Sequence, residues 1–167
     1  KGVGFTFIRK NSGLKSLITG GTQERGIRAG TESIHDIVGL DEALNLSYQN
    51  LEKDNSYIMD LKSYFISQLD INIPGVKFNG ACSDFINSTY TLVNICLPVS
   101  STSAPMFLFQ LDLKGIACSK GSACQSGSGK GSHVLSEILN DNDMNKPSIR
   151  FSFSVYNTKK ELDSVVS

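Results

Sequence analysis

The 167-residue sequence has no excess of charge of either sign: Lys plus Arg and Asp plus Glu both number 16, and the formal net charge is zero. Without a basic surplus or a basic stripe there is no electrostatic footprint for nucleic acid. No apolar run approaches the roughly 18 residues of a spanning helix, so no membrane partner is expected. A charged-then-apolar leader is also missing, and the expected compartment is the cytoplasm. Proline is sparse at four residues, and 40% hydrophobic with 19% charged residues is an ordinary globular composition. The length suits one good-sized domain, or a domain with a piece of another. The chain opens on Lys1 without a Met and closes on Ser167 barely two turns into a helical pattern. Both termini are expected to be cuts in something longer.

Cysteine is present but not in a metal pattern. Cys118 and Cys124 are separated by five residues, wider than the gap of about two to four in a zinc knuckle and lacking a second pair. No metal site is expected. Disulfides do not suit a chain without a leader, and Cys82 and Cys96 read as small buried hydrophobes.

Hydrophobic periodicity orders the rest. Residues 3–8 alternate as a strand. From about Ser33 to Leu69 the apolar positions Leu44, Tyr48, Leu51, Ile58, Leu61, Phe65 and Leu69 recur at helical steps, with a potential break near Asp54-Asn55. Strands are expected at 76–78, 89–97 and 116–119, and a helix at 106–113. Ser132 should cap a short amphipathic stretch over 133–139. Ile149, Phe151, Phe153 and Val155 alternate with Arg150, Ser152 and Ser154 as a half-buried strand. Thr158 and Glu161 form a capping box ahead of Leu162, Val165 and Val166. Such interleaving implies an α/β sandwich with helices covering a sheet.

Three places carry candidate chemistry. Cys124 lies in a small-residue loop, 119–131, that cannot bury it; Lys120, Lys130 and a helix start near Ser132 would favour its thiolate. An incidental surface cysteine is about as plausible on spacing alone. The Gly-rich loop 20–31, ending Gly30-Thr31 before a helix, suits an anion such as a phosphate, or is simply a tight turn with Glu24 and Arg28 paired. Arg150 offers a guanidinium fork that matches a carboxylate, against the commoner reading of a solvated strand charge.

Taken together, Lys1-Gly-Val-Gly, Gly20-Gly-Thr-Gln-Glu-Arg-Gly-Ile-Arg-Ala-Gly-Thr31, Gly121-Ser-Ala-Cys-Gln-Ser-Gly127, Ser132-His-Val-Leu and Ser148-Ile-Arg-Phe-Ser152 resemble the cysteine desulfurases. The similarity is to the NifS/IscS-like group of the class V aminotransferase family, in family order and spacing over essentially the whole chain. The resemblance implies a homodimeric fold-type I enzyme using pyridoxal 5'-phosphate. Residues 1–42 would be the tail of its large cofactor domain with a dimer-facing loop. Residues 43–167 would be the connecting helix and the C-terminal small α/β domain. Cys124 then matches the thiolate that takes sulfur from L-cysteine as a persulfide, releasing L-alanine. Thr31 matches the residue reaching the cofactor phosphate across the dimer, and Arg150 the arginine that holds the substrate carboxylate. A sulfur-acceptor or scaffold protein in iron–sulfur cluster or thio-cofactor assembly would be the partner. The family's cofactor lysine lies upstream of the match to Lys1, so the chain by itself is expected to be inactive and to bind no cofactor. Loop 20–31, with neither cofactor nor partner subunit against it, is expected to be poorly ordered. Two alternatives are a selenocysteine lyase-type enzyme and a non-catalytic sulfur-carrier or docking module.

Overall fold

The computed structural model describes residues 2–99, 104–120 and 132–167. The chain divides into two compact units, Lys1–Leu51 and Glu52–Ser167. A 39-residue helix, α1 (Ile34–Asn72), contributes to both. It is continuous through Asp54-Asn55, where a break was conceivable. Each of those residues costs only about 0.7 kcal/mol of intrinsic helix propensity, which the packed turns that follow outweigh.

In the second unit a three-stranded antiparallel sheet runs in the order β1 (Lys77–Phe78), β2 (Leu92–Cys96), β3 (Ser148–Ser152). The β2–β3 register sets Val93 against Phe151 and Ile95 against Ile149. These four form the inward face and pack with Ile58, Leu61, Phe65 and Leu69 of α1. Phe65 is fully buried and meets Phe151 and Phe153 edge-on, with ring centroids 5.1 and 5.6 Å away, the arrangement that aromatic quadrupoles favour. One cation enters this layer. Lys62 is 0% exposed, donating to Ser88 Oγ at 2.7 Å and the Thr89 carbonyl at 2.8 Å. Burial pulls its pKa below the usual lysine value.

The remaining helices are short. Helix α2 (Ala104–Leu113) ends where expected, with Gly115 at φ +77°. Val134, not the expected Ser132, is the N-cap position of α3 (Leu135–Ile138), though Ser132 Oγ still accepts from Leu135 N at 3.3 Å. Helix α4 (Asp141–Met144), capped by Asn140, was not anticipated. It carries Asp143, a buried carboxylate that accepts from Lys77 at 2.7 Å and Lys146 at 2.9 Å. Those bonds, the Lys77 one foremost, hold its carboxyl down at about 2. Helix α5 (Lys159–Val166) opens with the expected capping box: Glu161 N donates to Thr158 Oγ1 at 3.3 Å and Thr158 N to Glu161 Oε2 at 2.7 Å. The expected strand over 116–119 shrinks to a single bridge at Ser119.

The first unit differs from its reading at residues 3–8. Residues 3–8 form no strand; Phe5 and Phe7 are 76% and 85% exposed, and among the described residues no neighbouring strand completes a ladder for them. Loop 20–31 has support of its own. It contains a 3-10 turn at Gln23–Gly26, a parallel bridge between Ile18 and Arg28, and a bond from Gly30 N to Gln23 Oε1 at 3.2 Å. Ala29 is buried within it. Gly30, at φ +106°, takes a conformation closed to side-chain-bearing residues, while Glu24 and Arg25 accept positive φ at a strain cost.

Candidate functional site

Arg150 sits mid-way along β3, opposite Asn94 on β2. The alternation that drives Ile149 and Phe151 into the core turns Arg150 to the other face of the sheet, with Ser148 and Ser152. That face is polar and internally bonded. Asn79 Nδ2 donates to Asn94 Oδ1 and to Ser148 Oγ, each at 3.0 Å. Arg150 itself is half-buried. Its backbone exchanges both hydrogen bonds with Ser119, at 3.0 and 2.7 Å, and its Nε donates to Ser119 Oγ at 3.1 Å. Among the described residues it enters no ion pair.

Among the described residues, Ala117, Cys118, Ser119, Arg150 and Ser152 line a shallow cleft of about 240 Å³, and of these Arg150 is the charged one. A guanidinium with no carboxylate of its own, facing an open cleft, is matched to an anionic guest. Cys118 shares the cleft, but burial and nearby Asp112 raise its thiol pKa, which disfavours the thiolate. Ser119, Ser152 and Cys118 were not singled out from the sequence. The serine alternation around Arg150 was the available signal for Ser152, and nothing local marked Ser119.

Thr31 is exposed at the end of the glycine-rich loop. Arg28 lies two residues before Gly30 and donates from Nη1 to the Gly30 carbonyl at 3.3 Å. The Glu24–Arg28 ion pair of the alternative, tight-turn reading is not among the ion pairs of the described residues; Glu24 sits in the 3-10 turn with positive φ. A hydroxyl following Gly30, whose carbonyl Arg28 contacts, is a donor set that suits a phosphate. Cys124 and Lys130 lie outside the described residues. Helix α3 is one turn long, so its aligned peptide dipoles are fewer than the helix expected near Ser132 would supply.

The class-V aminotransferase model matches residues 1–165. The chain belongs to that family. Among its relatives, it is 37% identical to the cysteine desulfurase IscS of Dictyoglomus turgidum, over 98% of this chain and 40% of that protein. With the mitochondrial cysteine desulfurase of Arabidopsis thaliana it shares 35% identity over 99% of this chain and 36% of that protein. The chain thus spans about 40% of the length of the curated relatives it matches. The fold agrees. A NifS-like protein of known structure superposes with a TM-score of 0.76 at 26% identity, covering 96% of this chain and 39% of that one. The NifS-like protein from Rickettsia africae gives 0.71 at 26% identity, over 91% of this chain and 38% of that one. The helix-covered sheet of this class-V chain is therefore the α/β architecture of part of a NifS-like pyridoxal-phosphate enzyme. Among the described residues no helix is long and apolar enough to cross a membrane, and no cluster of His, Cys, Asp and Glu could hold a metal ion.

Proposed function

We propose that this chain is the C-terminal part of a pyridoxal-phosphate-dependent cysteine desulfurase, which removes sulfur from L-cysteine and leaves a persulfide on Cys124. Residues 1–42 are the tail of the cofactor domain with a loop facing the second subunit of a homodimer. Residues 43–167 are the connecting helix and small domain. The observation that carries the reading is Arg150, a half-buried guanidinium aimed into a cleft with no carboxylate partner among the described residues. It stands on a strand whose serines leave room for a small anionic substrate. The relatives named cysteine desulfurases support the same assignment.

Each residue then has one task. Arg150 binds the substrate carboxylate and fixes which way the amino acid lies. Thr31, with Arg28 beside it, supplies hydroxyl and cationic donors for the cofactor phosphate. Pyridoxal phosphate, when bound, supplies the electron sink. The Cys124 thiolate attacks the substrate sulfur, forming an S–S bond as the C–S bond breaks. That electron pair stays with the carbon fragment, which takes up a proton to become L-alanine. The persulfide passes to an acceptor or scaffold protein in iron–sulfur cluster or thio-cofactor assembly. Such chemistry needs reduced thiols, and the compartment proposed is the cytoplasm.

Cys124→Ala in the full-length enzyme tests the proposal. Alanine and sulfide release from cysteine should fall to background while cofactor absorbance stays unchanged. Alanine formation at the wild-type rate would overturn it.

A further inference from the structure

Nothing in the assignment of Arg150 to a carboxylate says how the guanidinium is aimed. An arginine on a strand carries three single-bond rotations beyond Cβ, and a fork free to swing loses the advantage of its planar geometry. In this fold one side chain restrains it. Ser119 Oγ accepts from Arg150 Nε at 3.1 Å. Its position is fixed in turn, because Ser119 and Arg150 exchange two backbone hydrogen bonds, 3.0 Å from Ser119 N and 2.7 Å from Arg150 N. The hydroxyl and the guanidinium thus spring from paired positions of one two-residue bridge.

We infer that Ser119 is a positioning residue for substrate binding: by occupying Arg150 Nε it leaves the terminal nitrogens, Nη1 and Nη2, to meet the substrate carboxylate end-on. The inference rests on the assignment of Arg150 above. A guanidinium can grip a carboxylate either side-on, through Nε and one Nη, or end-on through both Nη atoms. With Nε donated to Ser119 only the second remains, and both oxygens keep a donor each. The cleft is consistent with this. Its other walls among the described residues, Ala117, Cys118 and Ser152, are small and uncharged. Ser119 also stands five residues before Cys124 in the sequence, so the residue that aims the carboxylate clamp belongs to the segment that leads to the thiol.

Ser119→Ala, Ser119→Thr and Arg150→Lys in the full-length enzyme separate the possibilities. The measurements are KM and kcat for L-cysteine, cofactor absorbance, and inhibition constants for L-alanine and for ethylamine, which is alanine without its carboxylate. Ser119→Ala keeps the charge of Arg150 and loses only its restraint, so KM and the alanine inhibition constant should rise about three- to tenfold, the scale of one ordinary hydrogen bond. The constant for ethylamine, kcat and cofactor absorbance should not move, and Ser119→Thr should restore both affected values. Arg150→Lys should raise KM at least about tenfold. If Arg150→Lys does so and Ser119→Ala changes nothing, the positioning role is wrong while the carboxylate assignment stands. Equal losses for alanine and ethylamine would reduce Ser119 to a structural part and also overturn it. If Arg150→Lys itself leaves KM unchanged, the assignment of Arg150 fails and the inference goes with it.

Discussion

In the C-terminal half of α1, Ile58, Leu61, Phe65 and Leu69 are buried against the sheet. In the N-terminal half, Ile37, Val38, Leu44, Tyr48 and Leu51 recur at similar helical steps and remain 44–71% exposed. Period alone therefore does not separate the two halves. A 3.6-residue repeat makes an apolar stripe, but burial needs a second surface, and within the second unit β2, β3 and α5 supply one to the later turns. Under the assembly proposed above, this exposed stripe would be an interaction surface. It supports placing the first part of the chain against a cofactor domain and a second subunit.

Breaking the buried half should give the largest effect. Phe65→Ala removes the ring that joins Phe151 and Phe153, and should cost about 3–5 kcal/mol in urea unfolding of the chain. A loss below about 1 kcal/mol would mean that α1 packs only loosely on the sheet.

Acid should reach the second unit through Asp143. Its carboxyl is lowered from 3.8 to about 2 by bonds from Lys77 and Lys146. A depressed carboxyl contributes stability that is present above its unfolded value and lost as pH falls through the folded one. Unfolding followed from pH 5 to pH 2 should show stability declining through that window, and Asp143→Asn should flatten the decline while lowering stability at neutral pH. An unaltered acid limb would place its origin elsewhere.

These two sites were not equally legible. Phe65 and the alternation of β3 could be read directly, because burial of one face imposes its period on the sequence. The capping box at Thr158 could be read because it is local. Asp143 was missed: its partner Lys77 is 66 positions away, and a four-residue helix leaves no period to detect. Lys62 was missed for the opposite reason. It sits within a helical apolar run as one charged residue, and its acceptors on Ser88 and Thr89 lie beyond the helix. Residues 3–8 alternate like a strand, yet alternation names a face and not a partner. For the site, Arg150 was legible as a polar interruption of an apolar strand, whereas Ser119 required the bridge that pairs distant segments. Cys124 stands on sequence and resemblance, since it lies outside the described residues.

Removing a local device should be milder than opening the core. Thr158→Ala deletes the hydroxyl that accepts from Glu161 N, and about 1 kcal/mol of α5 stability should go with it. Leu162, the buried residue of that helix, ties the loss to the same core that holds the later turns of α1. A null result in thermal unfolding would show α5 to be held by packing alone.

The smallest effect should come from the exposed half, and it is the sharpest test of the comparison. Leu44 is 44% exposed, so Leu44→Ser removes little contact that the chain itself makes. Urea unfolding of the chain should change by less than about 0.5 kcal/mol, the range of surface substitutions away from caps and cores. In the full-length enzyme the outcome should differ. If the proposed cofactor domain or second subunit covers the stripe, the apolar area of Leu44 is withdrawn from water there, and losing it should cost about 1–2 kcal/mol. The two measurements are read against each other: a small cost in both would leave the stripe uncovered and remove its support for the assembly proposed here. A large cost in the chain alone would mean that the two halves of α1 are not as different as their exposures make them.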